Sequence, residues 1–208
     1  GRATLTRLGA PFDRTPGGGY VLSREAAHSF ARVARIGGDG AGAGIMRALI
    51  ARVRETPSIQ VLEGALVTGL AVAERRVLGV EIAPARPGGP GPARIESPAV
   101  LLAAGGAGGL FALTTNPSRI RGQAVGMAAR AGAVIADAEF VQFHPTALDV
   151  GLDPAPLATE ALRGEGAILI DRAGRRILQG LHPDLELAPR DEVARAVYAC
   201  AQQGLRPM

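Results

Sequence analysis

Apolar positions recur at two spacings along this chain. Ile45, Leu49 and Val53 fall every four residues, with Arg47, Arg52 and Arg54 off that line. This pattern predicts an amphipathic helix that opens after Gly37-Gly38-Asp39-Gly40-Ala41-Gly42-Ala43-Gly44 and closes at Pro57. Short apolar runs at 59–62, 65–73 and 77–83 read as strands, the last two joined by Glu74-Arg75-Arg76. Residues 84–92 are a Pro/Gly-rich loop, and 100–104 reads as a buried strand running into Gly105-Gly106-Ala107-Gly108-Gly109. A helix is expected over 123–131, ended by Gly132, and another from about Asp191, after Pro189, with Val193 and Val197 on one face. Residues 1–36 read as turn-rich, with one short strand at 20–22.

The order of helix, strand, β-meander, strand and glycine turn fits the second half of a nucleotide-binding α/β domain. From Glu139 onward Phe, His, Pro and Thr appear among polar loops, which places a domain boundary near 137–139.

Composition narrows the function classes. The 208 residues are 47% hydrophobic but only 3% aromatic, so the core is built from Ala, Val, Leu and Ile. All 23 basic residues are Arg, and they are scattered rather than clustered, which argues against nucleic-acid binding. Cys200 has no second cysteine to pair with, which favours a reducing, cytoplasmic setting. No apolar run reaches membrane-spanning length. The opening Gly1-Arg2-Ala3-Thr4 is neither an initiator methionine nor a signal peptide, so the chain reads as an internal piece of a longer protein.

Five stretches could carry chemistry. The glycine turn around Asp39 opens a helix, where free N–H groups attract anions, but no Gly-Lys-Ser/Thr follows it and no strong strand precedes it. Ala103-Ala104-Gly105-Gly106 would let a backbone approach a flat or charged ligand closely, and tight strand–helix packing would explain it equally well. Gln142 and His144 lie two apart, on one side of an extended segment, beside Phe140, Val141 and Phe143. Such a mix suits a carboxylate-bearing substrate, and a lone core histidine would look the same. Glu160 and Arg163 are three apart, so one helical turn would join them, as a proton relay or as a structural ion pair. Arg190 would project from the start of the last helix, as a functional cation or as a plain surface residue.

Taken together, Ser23-Arg24-Glu25-Ala26-Ala27-His28-Ser29, Ala103-Ala104-Gly105-Gly106, Gln142-Phe143-His144-Pro145-Thr146, Thr159-Glu160-Ala161-Leu162-Arg163-Gly164-Glu165-Gly166 and Ala188-Pro189-Arg190-Asp191 resemble the family of L-aspartate oxidases and the flavoprotein subunits of succinate dehydrogenase and fumarate reductase. Within it, Leu8-Gly9-Ala10-Pro11-Phe12-Asp13 and Glu186-Leu187-Ala188-Pro189-Arg190-Asp191 are most similar to the L-aspartate oxidases.

The resemblance implies a partial Rossmann-like FAD-binding domain with a small β-meander over 1–138, followed by part of an α+β capping domain over 139–208. It implies non-covalent FAD, with Asp39, Ala104, Gly105 and Gly106 on the cofactor side and the backbone at Leu66 near the adenine. Gln142, His144 and Thr159 match residues that hold a dicarboxylate. Arg190 matches the arginine that shuttles a proton to or from the substrate carbon, and Glu160 and Arg163 match the relay that resupplies it. No metal is implied.

The implied reaction is oxidation of L-aspartate to iminoaspartate by hydride transfer to the flavin, with electrons passing to oxygen or fumarate and quinolinate synthase following in NAD biosynthesis. The family's Gly-rich βαβ fingerprint does not occur in this sequence, and its usual Thr-Gly-Asp-Gly reads Arg121-Gly122-Gln123-Ala124. The stretch alone is therefore expected not to hold FAD. Two other readings stay open: a succinate dehydrogenase or fumarate reductase flavoprotein subunit, and a non-catalytic fragment.

Overall fold

A computed structural model describes residues 1–38 and 40–208. The expected cofactor residue Asp39 lies outside the described residues. Two compact units are present. The first comprises 1–60, 143–146 and 158–208, and the second comprises 61–142 and 147–157.

In the first unit, α1 (Arg2–Arg7) leads to a two-stranded antiparallel ribbon of β1 (Leu22–Ser23) and β2 (Val33–Ala34), with Leu22 opposite Ala34. The turn-rich reading of 1–36 missed α1, which is six residues long and buries none of them, so it carries no apolar stripe to read. The expected strand at 20–22 is shifted. Tyr20 bridges Arg14, and the ladder begins at Leu22.

The helix expected from the Ile45, Leu49 and Val53 stripe is α2 (Ala41–Arg54). A short helix α4 (Glu160–Gly164) and a long one, α5 (Arg190–Gln202), complete the unit. Leu178, Ala188 and Val193 form a fully enclosed core, with Leu169, Ala196 and Val197 packed against it. That core fixes the start of α5, because Ala188 and Val193 flank Arg190 and are 0% exposed.

In the second unit, β3 (Ala65–Ala73), β4 (Arg76–Pro84) and β5 (Ala93–Glu96) form an antiparallel meander in the order β3-β4-β5. Ala73 pairs with Arg76, so Glu74 and Arg75 make the two-residue turn, with φ of 49° and 62°. Both residues sit in the left-handed region that a tight primed hairpin turn requires. β5 was not expected from the sequence. It is four residues long, exposed throughout and set between Pro-rich loops, so it has no alternation to detect. The helix α3 (Gln123–Arg130) buries Ala124 and Met127.

Two expected strands are absent. Residues 59–62 carry no ladder, and the Ile59 amide closes a turn onto the Thr56 carbonyl instead. Residues 100–104 carry no ladder either, and Leu101 is 91% exposed. A strand exists only when a neighbour completes its hydrogen bonds, and among the described residues nothing pairs with either segment.

Candidate functional site

The chemistry gathers around one buried carboxylate. Thr159 has extended backbone (φ −67°, ψ 155°) and turns the chain into α4 at Glu160. One turn later Arg163 returns to the same face, and its Nη2 donates to Glu160 Oε1 at 2.9 Å. The i,i+3 contact expected from the sequence is therefore present. Arg190, on the first turn of α5, meets the same carboxylate with two prongs. Its Nε donates to Oε1 at 2.6 Å and its Nη2 to Oε2 at 2.8 Å. Parallel bonds from one guanidinium to one carboxylate are the strong, orientation-fixing form of this contact.

Burial sharpens the arrangement. Glu160 is 8% exposed and Arg163 is 3% exposed, whereas the Arg190 side chain keeps 34% of its surface open. The inner two members are closed off, and the outer one reaches a surface that a small molecule can touch. Hydrogen bonds from Arg190 hold the Glu160 carboxyl below the usual glutamate range, against the opposing effect of burial, and the charges of Arg190 and Arg163 act in the same direction. The Glu160 bond raises Arg190 further into its always-cationic range. Burial lowers Arg163, and Glu160 opposes it only in part.

Close packing of backbone seats α4. A side chain at Gly164 would place its Cβ 2.6 Å from the Arg24 carbonyl oxygen, so only glycine lets α4 lie against the 24–25 backbone.

His144 belongs to the same compact unit. The Thr146 amide donates to His144 Nδ1 at 3.2 Å, which makes Nδ1 the acceptor. Neutral His144 therefore carries its proton on Nε2, where it can serve as a donor. Burial pushes the His144 pKa down, and the Arg190 charge adds to that, so the ring is neutral at neutral pH. The His144 segment is anchored to the Thr159 segment: Ala158 N donates to Thr146 O at 3.0 Å, and Thr146 Oγ1 donates back to Ala158 O at 2.6 Å. Thr159, half-buried, follows directly. Gln142 is exposed and ends the 61–142 stretch of the second unit. The sequence reading missed Thr146 as the residue that sets the histidine tautomer. Its place directly after His144-Pro145 was the available signal.

The small-residue turn at 103–106 lies in the second unit. Ala103, Ala104, Gly105 and Gly106 are all exposed, and a Cβ built at Gly106 would meet nothing within 4 Å. Gly105 has φ of +78°, a left-handed conformation that favours glycine. Gly106 O accepts the Gly122 amide at 2.8 Å, and the Gly109 amide donates to Ile120 O at 2.7 Å, so the turn is held against the loop before α3. An open edge of small residues would let a flat ligand approach the backbone closely. Leu66 lies opposite Ala83 on β3, an outer strand of the meander. No group of His, Cys, Asp and Glu suited to a metal occurs among the described residues, and no helix there is long and apolar enough to cross a membrane.

The family model described as FAD binding domain matches residues 1–208. An L-aspartate oxidase of Caulobacter vibrioides is 59% identical over 198 residues, covering 94% of this chain and 38% of that protein. One of Agrobacterium fabrum is 50% identical over 193 residues, covering 93% and 36%. A quinol-fumarate reductase solved with menaquinol molecules superposes with a TM-score of 0.87 at 30% identity, covering 98% of this chain and 36% of that one. The chain thus spans little more than a third of the length of these relatives. Its α/β fold is that of the flavoprotein relatives, and the chain belongs to the FAD binding domain family, whose cofactor is FAD.

Proposed function

We propose that the protein carrying this chain is an FAD-dependent oxidoreductase that converts L-aspartate to iminoaspartate, the first step toward quinolinate. The observation that carries this reading is the Glu160 carboxylate, buried and shared between Arg163 and the half-open Arg190. The 59% identity to an L-aspartate oxidase supports the choice of substrate. In this reading residues 1–138 belong to the FAD-binding domain and 139–208 to the capping domain. Ala104, Gly105, Gly106, Leu66 and Asp39 serve the cofactor side.

Bound FAD would supply the acceptor for the substrate's Cα hydride. The remaining steps belong to the protein. Gln142, His144 through its Nε2–H, and Thr159 hold the carboxylates and orient the Cα–H bond. Arg190 provides a cation and a route for the proton that leaves the substrate nitrogen. A neutral arginine is too costly to form as a separate state. The substrate N–H therefore passes its proton to Arg190 as Arg190 passes another to Glu160, and the guanidinium stays cationic throughout. Glu160 suits this task because its carboxylate already accepts two hydrogen bonds from Arg190, which gives the proton a short path. Arg163 steadies the carboxylate as its charge changes.

A second reading, the flavoprotein subunit of succinate dehydrogenase or fumarate reductase, is favoured by the superposition on quinol-fumarate reductase. Anaerobic flavin reduction by L-aspartate, L-alanine and succinate separates the two. L-aspartate is expected to reduce the flavin. L-alanine, which lacks the second carboxylate and leaves that group's donors unpaired in the closed site, should be slower by a factor on the order of 10⁴. Reduction by alanine at the aspartate rate contradicts the dicarboxylate reading, and reduction by succinate alone selects the second reading.

A further inference from the structure

Glu186 has no part in the chemistry above, yet its side chain is among the most enclosed charges in the chain, at 3% exposed. Arg176 Nε donates to both of its oxygens at 3.0 Å, and an Arg176 terminal nitrogen also donates to Oε2. The Leu169 amide donates to Oε1 at 3.1 Å. Leu169 and Arg176 stand on opposite arms of one hairpin, in which Ile170 bridges Arg176 and the Ile177 amide donates to Leu169 O. The Glu186 carboxylate is thus gripped from both arms. These bonds hold it below the usual glutamate range despite its burial.

The main chain of Glu186 does something different. Its carbonyl oxygen accepts from Arg163 Nη1 at 2.8 Å. Arg163 Nε is buried with no hydrogen-bond partner, so Nη1 on Glu186 O and Nη2 on Glu160 Oε1 are what fix its plane. With the Glu186 carbonyl displaced, the guanidinium could swing about its one remaining bond. Glu160 Oε1, which Arg190 Nε also holds at 2.6 Å, would move with it.

We propose that Glu186, clamped by Arg176, is a positioning residue for the proton relay. It aims the carbonyl that orients Arg163 and places a second negative charge beside that buried cation. The inference rests on the relay role proposed for Glu160, Arg163 and Arg190. Stability alone does not call for this pair, because a buried ion pair is often matched by well-packed apolar residues of the same volume.

The test uses the full-length, FAD-loaded protein that carries this chain. The variants are Glu186→Gln, Arg163→Lys, their combination, and Arg175→Ala. Arg175→Ala perturbs the same hairpin through the Asp171 ion pair, and its side chain is 68% exposed. Turnover per bound flavin, KM and the flavin absorbance change on titration with malonate are measured for each. Glu186→Gln should lower kcat about tenfold while KM and malonate binding stay within about twofold, the split expected when only the proton step suffers. In the Arg163→Lys background it should cost less than about twofold more, because residues that act through one another are not additive. Arg175→Ala should match the parent. If Glu186→Gln fails to fold, Arg176→Gln cuts the same link from its half-buried end and is judged by the same criteria. A slow Arg163→Lys alongside a Glu186→Gln of parental kcat, or effects that simply multiply, would overturn the positioning role and leave the relay standing. An Arg163→Lys of parental kcat would overturn both.

Discussion

Around Glu160 and Glu186, charge is buried and paired within the stretch 158–208, whereas at 100–104 and 134–136 apolar side chains stand open. Glu160, Arg163 and Glu186 are 8%, 3% and 3% exposed, and Leu101 and Val134 are 91% and 94% exposed. In the charged region each carboxylate meets a guanidinium and at least one further donor. In the apolar region no ladder forms among the described residues. The contrast shows what a local stretch of chain can complete by itself. Helical turns and a hairpin close their own hydrogen bonds and can bring charges together, but a strand depends on a neighbour.

If the charged region is a finished unit, breaking it should be costly. Glu160→Ala leaves Arg163 buried without its carboxylate and is expected to destabilise by about 3–5 kcal/mol, read from urea unfolding. A loss within error would mean that the cluster is not closed off. Slightly below this comes the apolar support of the cluster. Leu178→Ala, at a side chain 1% exposed, should cost about 2–5 kcal/mol by the same measurement.

The same region should dominate the acid limb of stability. Glu160 and Glu186 both have depressed folded pKa values. Their stabilisation is fully present above the ordinary glutamate value of about 4.3 and is lost as pH falls through the lower folded values. Unfolding free energy measured at descending pH should therefore decline there, and Glu160→Gln should flatten that decline. An unchanged acid limb in the variant would remove Glu160 from the linkage. The smallest effect belongs to the open region. Leu101→Ser should change the stability of this chain by no more than about 0.5 kcal/mol, because there is little burial to lose. A larger loss would show that 100–104 is packed in solution.

The two regions also differ in how legible they were in the sequence. Glu160 and Arg163 meet because i,i+3 geometry is local, and α5 begins where Pro189 and the spacing of Val193 and Val197 place it. Two bonds remained hidden. The Glu160–Arg190 contact spans thirty residues and the Glu186–Arg176 contact spans ten, and nothing in residue spacing encodes either. The apolar run 100–104 was read as a strand from its composition alone. Composition reports what a segment would do if paired, not whether a partner is present. β5 escaped notice for the opposite reason: it is paired with β4 but has no apolar pattern.

The account's central claim is that Arg190 conducts the substrate proton to Glu160, and Arg190→Lys in the full-length, FAD-loaded protein tests it most directly. Lysine keeps the charge but cannot reproduce the two-pronged grip on Glu160. The measurement is turnover with L-aspartate per bound flavin, alongside flavin content and thermal stability. The account predicts flavin content and folding like the parent, with turnover lower by about 10²-fold or more. Parental turnover in a folded, flavin-loaded Arg190→Lys would contradict it and reduce the Glu160–Arg190 pair to a structural ion pair.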